Sequence, residues 1–494
     1  MACVNKLPLD ALEYDFVIVS GGTTGCVVAS RLTEYLPNKN ILVVEGGLSD
    51  FNYQYTSVEQ PFGNSNILHS RAREAGIEGW TFDQFIRLVN KLRTDIHPIY
   101  LEFQNPVDVA FVESYVKVFN IPKTNSFNED IVVRGNISSG TGFIAAAYSP
   151  KNGFRSSASV IYIHPIFEAK EHRPNLTVLT NTLVYYVNID KNTVTSIDVV
   201  LQSGQKLTVT ANVEAVLCAG AIDTPRLLLL SRIGPSKQLE SLGIPVVTDL
   251  PGVGENLMDY PESLILWELK EPLAPQTVTR SDVAMLLRRE PFNVNGDDGD
   301  IANVLFYVFV LGFDTHTTRL GYETPANAYL FMPNVPRPRS RGRLYLASTD
   351  PEVKPALDFR YFTDLGGYDK KTILFRLKAG RKLAETAPLR DLIKREVAPG
   401  PHIQTDEQLE EYSRQAHNTV YHPCGTTKIG DTAKDKFAVV DPTLKVKGVK
   451  KLRIADAGVF PLIPSINPML TVLSVGERAA ELIIADAKVA KANL

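Results

Sequence analysis

A strand, a glycine turn, a helix and a second strand ending in an acid occupy residues 14–45, and no other stretch restricts the fold as tightly. Residues 14–19, Tyr-Asp-Phe-Val-Ile-Val, form a short apolar run rich in β-branched side chains, the pattern of a buried strand. Ser20-Gly21-Gly22-Thr23-Thr24-Gly25 follows, then a helical stretch over 26–32 and a second apolar run over 41–44 that ends in Glu45. The order is that of a βαβ unit. Its glycines permit a tight turn and let a pyrophosphate approach backbone N–H groups at the helix N-terminus. Glu45 stands about twenty residues beyond the turn, where its carboxylate accepts the ribose hydroxyls of an adenosine half. Gly21, Gly22, Thr23, Thr24, Gly25 and Glu45 are therefore candidate dinucleotide-binding residues; the rival reading is a turn whose glycines serve only packing. Ser20 takes the first glycine position, and its Cβ strains the turn if that position needs a positive φ.

Composition narrows the class. The chain has 494 residues, 44% hydrophobic and 22% charged, enough for sizeable cores and two or three domains. Lys and Arg total 52 against 55 Asp and Glu, so the basic excess of a nucleic-acid binder is missing. Cys3, Cys26, Cys218 and Cys424 include no CxxC pair and read as buried apolar residues. No apolar run reaches about 18 residues, so no membrane span is expected. No secretory pattern opens the chain, which implies a cytoplasmic protein, and the sequons at Asn136 and Asn175 read as chance. The acidic stretch 293–300 fails as a calcium loop, because Asp298 and Val304 stand where glycine and glutamate are required.

Further motifs lie later in the chain. Residues 220–235 run Gly-Ala-Ile-Asp-Thr-Pro-Arg through Ser231-Arg232-Ile233-Gly234-Pro235, and residues 251–259 run Pro-Gly-Val-Gly-Glu-Asn-Leu-Met-Asp. Tyr421-His422-Pro423-Cys424-Gly425-Thr426 is followed by an Asp456-Ala457-Gly458 motif, by Asn467-Pro468 and Thr471, and by an amphipathic helix. Together these are similar to the glucose–methanol–choline (GMC) family of FAD-dependent oxidoreductases, over nearly the whole chain. The resemblance implies an α/β fold with a discontinuous Rossmann-like FAD-binding domain over 1–73, 150–261 and 416–494. A substrate-binding α+β domain on an antiparallel sheet would take 74–149 and 262–415. By position, His422 matches the family's active-site histidine and Asn467 the second active-site residue, which is His or Asn in the family. Asp456 and Ala457 would lie near the ribityl–pyrophosphate, Val184 would hold the adenine through its backbone, and Asn467, Pro468 and Thr471 would border the flavin. The implied activity is oxidation of an alcohol CH–OH group, with O2 or another acceptor taking the electrons.

The residue chemistry agrees. A histidine can take a hydroxyl proton near neutral pH while a hydride leaves the carbinol carbon. An amide can orient the oxygen without competing for the proton. The bland alternatives are a packing histidine and a turn asparagine. An NAD-dependent dehydrogenase would need the first βαβ unit but not the motifs at His422 and Asn467.

Three departures stand out. After residues 61–73 the family has a glycine- and serine-rich loop that packs on the flavin and in some members bonds to it through a histidine. Here Arg73 runs directly into Glu74-Ala-Gly-Ile-Glu-Gly-Trp80. That loop is expected to be absent, and no covalent flavin bond can form there. The alternative function it raises is an impaired homologue that binds FAD weakly or not at all. Arg232 replaces a usual glycine, and Tyr260 a common histidine. Residues 342–362 alternate like strands and are expected in the substrate sheet.

Overall fold

The computed structural model describes residues 2–4, 12–48, 77, 79–94, 96–124, 127, 139–150, 155–287, 304–310, 318–465 and 467–492. The unit expected from residues 14–45 is there. Strand β1 (Glu13–Val19) leads through the glycine turn into helix α1 (Thr23–Tyr35), and the chain returns as β2 (Ile41–Val44). β1 and β2 pair in parallel from Phe16↔Ile41 to Val19↔Val44. β3 (Leu176–Leu179) joins β2, and β4 (Lys206–Leu217) joins the other side of β1, both in parallel. The last residues of β4 pair in parallel with β5 (Leu452–Ile454), while its first half meets an antiparallel hairpin of Thr182–Asp190 and Thr193–Leu201. The central strands are buried on both faces, which is why they read as unbroken apolar runs. Their carboxyl ends, at Val19, Val44 and Leu217, open on one side, the crevice where such sheets bind ligands.

Helix α2 (Gly220–Leu230) follows β4, and helix α3 (Met469–Ala492) packs across α1. Close approach fixes that crossing. A Cβ at Gly476 would lie 2.9 Å from Val27 Cβ, and one at Gly25 only 2.0 Å from the Ser20 carbonyl oxygen, so both positions need glycine. The buried Arg31 guanidinium donates to Glu477 at 2.8–3.0 Å, and the Tyr162 hydroxyl donates to the same carboxylate at 3.0 Å.

A second sheet is antiparallel, in the order Ile393–Ala398, Ile265–Leu269, Ala328–Asn334, Val304–Phe309, Val283–Leu287 and Gly140–Phe143. Helices Pro106–Phe119 and Tyr368–Ala384 cover it, around a separate core that includes Phe111, Trp267, Tyr329 and Phe331. Residues 342–362 correct one expectation. Gly342–Tyr345 pairs with Glu255–Leu257 and Ala356–Asp358 in its own three-stranded sheet, and Leu344 and Leu346 join the first core. Alternation identified a strand there but carried no information about its partner. Cys26, Cys218 and Cys424 are buried, and none of them forms a disulfide. Among the described residues no helix is long and apolar enough to cross a membrane. The segment around Arg73, the sequon at Asn136 and the acidic stretch 293–300 lie outside the described residues.

Candidate active site

The glycine turn carries its strain at Ser20, where φ is +81°. The first fingerprint position thus does demand the left-handed region, and this chain fills it with a residue that has a Cβ. The serine side chain partly compensates, donating to Glu45 Oε2 at 3.1 Å and accepting from the Gly22 N–H at 3.2 Å. Glu45 binds the turn to the end of β2: its carboxylate accepts from the N–H groups of Gly21 and Gly47, both at 2.7 Å. Helix α1 then follows Gly22, its N-cap, with no side-chain cap and no acid in its first turn. Its N-terminal N–H groups and the positive end of its dipole are left for an anion. Behind Glu45 a cavity of about 160 Å³ is lined by Ser20, Glu45, Gly46, Val184 and the face of α2 that carries Asp223 and Arg226.

On the other side of the turn a larger cavity, about 540 Å³, brings together Thr23, Glu262, Tyr307, His422, Asn467 and Pro468. Ser20 lines the first cavity and Thr23 the second, so the same few residues separate them. A dinucleotide with its adenosine in the small cavity, its phosphates over the α1 N-terminus and its ring in the large one fits this division. Arg155 also lines the large cavity and adds a cation near that path.

His422 follows the short strand Asn418–Thr419, and its loop is anchored by paired backbone bonds between Met258 and Cys424, each 2.9 Å. Its ring Nδ1 is buried without a hydrogen-bond partner among the described residues. Burial pushes the imidazole down to about 4. The ring is therefore neutral at neutral pH and can accept a proton. The ring of Tyr260, the residue in place of a common histidine, meets His422 edge-on at 5.5 Å, and its hydroxyl donates to the Pro464 carbonyl.

Asn467 sits just before α3, whose first residues Met469 and Val472 also face the cavity. The positive end of this 24-residue helix favours negative charge there. The Tyr307 hydroxyl donates to Asn467 Oδ1. Burial holds that phenol well above its usual range, so it remains a donor.

Glu262 was not singled out from the sequence. Its carboxyl is buried on the cavity wall, and burial, with the nearby Asp259 carboxylate, holds it well above the usual carboxylate range. Tyr307, Phe309 and Met332 share that wall.

Other expected contacts lie behind the cavities rather than on their walls. Thr24 is buried. The Asp456 carboxylate is taken by the Thr224 hydroxyl at 2.6 Å and the N–H groups of Gly458 and Gly220 at 2.7 and 3.0 Å. It joins α2 to the turn at Ala457 rather than presenting a free acid. The Thr471 hydroxyl is buried in the first turn of α3 without a partner among the described residues.

Residues 14–262 and 338–476 each match a family profile described as GMC oxidoreductase. A choline oxidase from Arthrobacter globiformis is 33% identical, over 95% of this chain and 94% of that protein. An oxygen-dependent choline dehydrogenase from Staphylococcus xylosus is 29% identical over 95% of each. The solved pyridoxine 4-oxidase from Mesorbium loti superposes with a TM-score of 0.81 at 23% identity, covering 95% of this chain and 98% of its own. A formate oxidase from Aspergillus oryzae gives 0.81 at 21%, over 96% and 99%. The match to the choline oxidase runs over 533 positions against 494 residues here, so that relative carries segments this chain lacks.

Proposed function

Because the chain belongs to the GMC oxidoreductase family, FAD-dependent enzymes that act on the CH–OH group of an alcohol, we propose that His422 is the base that takes the alcohol proton. FAD, when bound, supplies the hydride acceptor. Its adenosine would rest against Glu45 and Val184, its phosphates on the α1 N-terminus, and its ring beside Thr23, Pro468 and the start of α3. His422 accepts the hydroxyl proton as the hydride leaves, and Asn467, its amide oxygen held by Tyr307, orients the alcohol oxygen. The proposed domain division is 1–73, 150–261 and 416–494 for the cofactor and 74–149 and 262–415 for the substrate, except that Ile77, Trp80, Leu344 and Leu346 pack in the first core.

The observation that carries this reading is the shared cavity. A neutral, buried imidazole, an amide at a helix N-terminus and a buried acid open into one space beside the glycine turn. The acid points to the substrate class. A carboxyl on a wall with Tyr307 and Phe309 suits an alcohol that carries a quaternary ammonium, through charge and ring faces together. The relatives named for choline support a choline-like substrate, and the oxygen-dependent ones support O2 as acceptor.

Protein purified with FAD should be yellow and should bleach when choline is added without oxygen. A protein that holds no flavin, or whose flavin no alcohol reduces, would overturn the proposal in favour of an impaired homologue.

Glu45→Ala should weaken FAD binding about 10- to 160-fold, because the ribose hydroxyls of the adenosine lose a charged acceptor worth about 1.5–3 kcal/mol. Titration of apoprotein with FAD reads this directly. Equal dissociation constants for mutant and parent would remove Glu45 from the cofactor site.

A further inference from the structure

We propose that Asp259 is the positioning residue that sets His422 in the reaction cavity. The inference rests on His422 being the base. It starts from how little else holds that ring. Nδ1 of His422 has no partner among the described residues, so no described side chain orients the imidazole through that nitrogen. Its placement depends on its backbone and on the Tyr260 ring against it.

Asp259 grips both. One carboxylate oxygen accepts from the Tyr260 N–H at 2.8 Å and from the His422 N–H at 3.1 Å. The other accepts from the Tyr361 hydroxyl at 2.7 Å and from the Thr419 hydroxyl. The Thr419 oxygen in turn accepts from the Tyr421 N–H at 2.8 Å. Tyr421, the residue before the base, has a φ of +63° and is 70% exposed, so the loop is bent into a strained shape with little packing of its own. Four donors from three segments converge on one buried carboxylate, and charge-assisted bonds of this kind are the strong ones. Tyr361 is itself held by stacking on Phe359 at 5.1 Å and by His417 edge-on at 5.4 Å. Nothing in the geometry gives Asp259 contact with the cavity; it acts through His422.

The test uses FAD-loaded Asp259→Ala, Asp259→Asn, Tyr361→Phe and Thr419→Val beside His422→Ala. Anaerobic flavin reduction by choline is measured per bound FAD, together with KM and flavin content. Misplacing a reacting group by about 1 Å costs roughly 10²-fold, so Asp259→Ala should lower the limiting rate by about that factor. Asp259→Asn keeps an acceptor for His422 and should lose less, and the two single-donor variants less still. KM for choline should not rise, because removing the Asp259 charge makes Glu262 easier to ionise. A purely structural role predicts the opposite: lost flavin and raised KM with a normal rate per flavin. If Asp259→Ala does not fold, Tyr361→Phe and Thr419→Val decide. Parental rates in the folded variants while His422→Ala is slow would overturn this inference alone; a parental rate in His422→Ala would overturn the base and this inference together.

Discussion

Replacing His422 by alanine is expected to slow alcohol-dependent reduction of the bound flavin about 10²- to 10⁴-fold, with FAD content unchanged. On the proposed mechanism the rate should fall because the alcohol proton loses its acceptor in the transition state. Cofactor content holds because the turn at 20–25 and Glu45 lie on the far side of Thr23 from His422. The pH dependence follows from burial. A histidine held down to about 4 stays neutral well below its ordinary range, whereas burial holds Asp259, the carboxylate that positions it, up to about 6; the parent's rate should therefore fall on acidification through about pH 6 with Asp259 and again below about pH 5 with His422. Stability moves with it. Between about pH 6.5 and 4 the unfolded chain binds the extra proton and the folded chain does not, so this site destabilises the fold as pH drops through that window. Stopped-flow reduction normalised to FAD, run beside a melting curve, checks both. A packing histidine would give a lower melting temperature and a normal rate.

Glu262→Gln should separate cationic from neutral alcohols. Losing one partner of a buried charge pair costs about 2–5 kcal/mol, so KM for choline should rise about 30- to 4,000-fold. An uncharged alcohol of the same shape, with carbon in place of nitrogen, should change little, since glutamine keeps the volume. The carboxyl is held high by burial in the free protein. A cation therefore binds with loss of a proton, and choline affinity in the parent should tighten as pH rises toward neutrality. In Glu262→Gln that slope should vanish. A mutant that keeps the parental KM for choline would rule out Glu262 as the cation's partner.

Local sequence was most informative where local spacing does the work. The turn at 20–25 and Glu45 were legible because strand, helix and acid follow one another within thirty-odd residues. Two departures proved physically meaningful: Ser20 and Arg232, both where glycine is usual, lie at φ +81° and +69°. Glu262, Tyr307 and Asp259 were missed as site residues because the second sheet and the 418–425 loop bring them together from distant stretches. One signal was there to use. Glu262 directly precedes the run Ser-Leu-Ile-Leu-Trp, and a carboxylate beside a strand this apolar is a candidate for burial, which the structure shows. Asp456, expected near the ribityl–pyrophosphate, commits its carboxylate to Thr224, Gly220 and Gly458, a use its motif gave no sign of.

The crossing of α1 and α3 governs the order in which the molecule can assemble. Arg31 and Glu477 are 446 residues apart, and Asn467 reaches the reaction cavity only when α3 docks. During synthesis the glycine turn leaves the ribosome early and waits for nearly the whole remaining chain before its neighbour exists. Contacts of such separation close slowly. A nascent chain that stops short of α3 would carry the turn and β1 to β4 but no finished cavity. On the proposed ring site beside Pro468 and the start of α3, full cofactor capture is expected late in the life of the chain, and retained flavin would report that the last helix has docked.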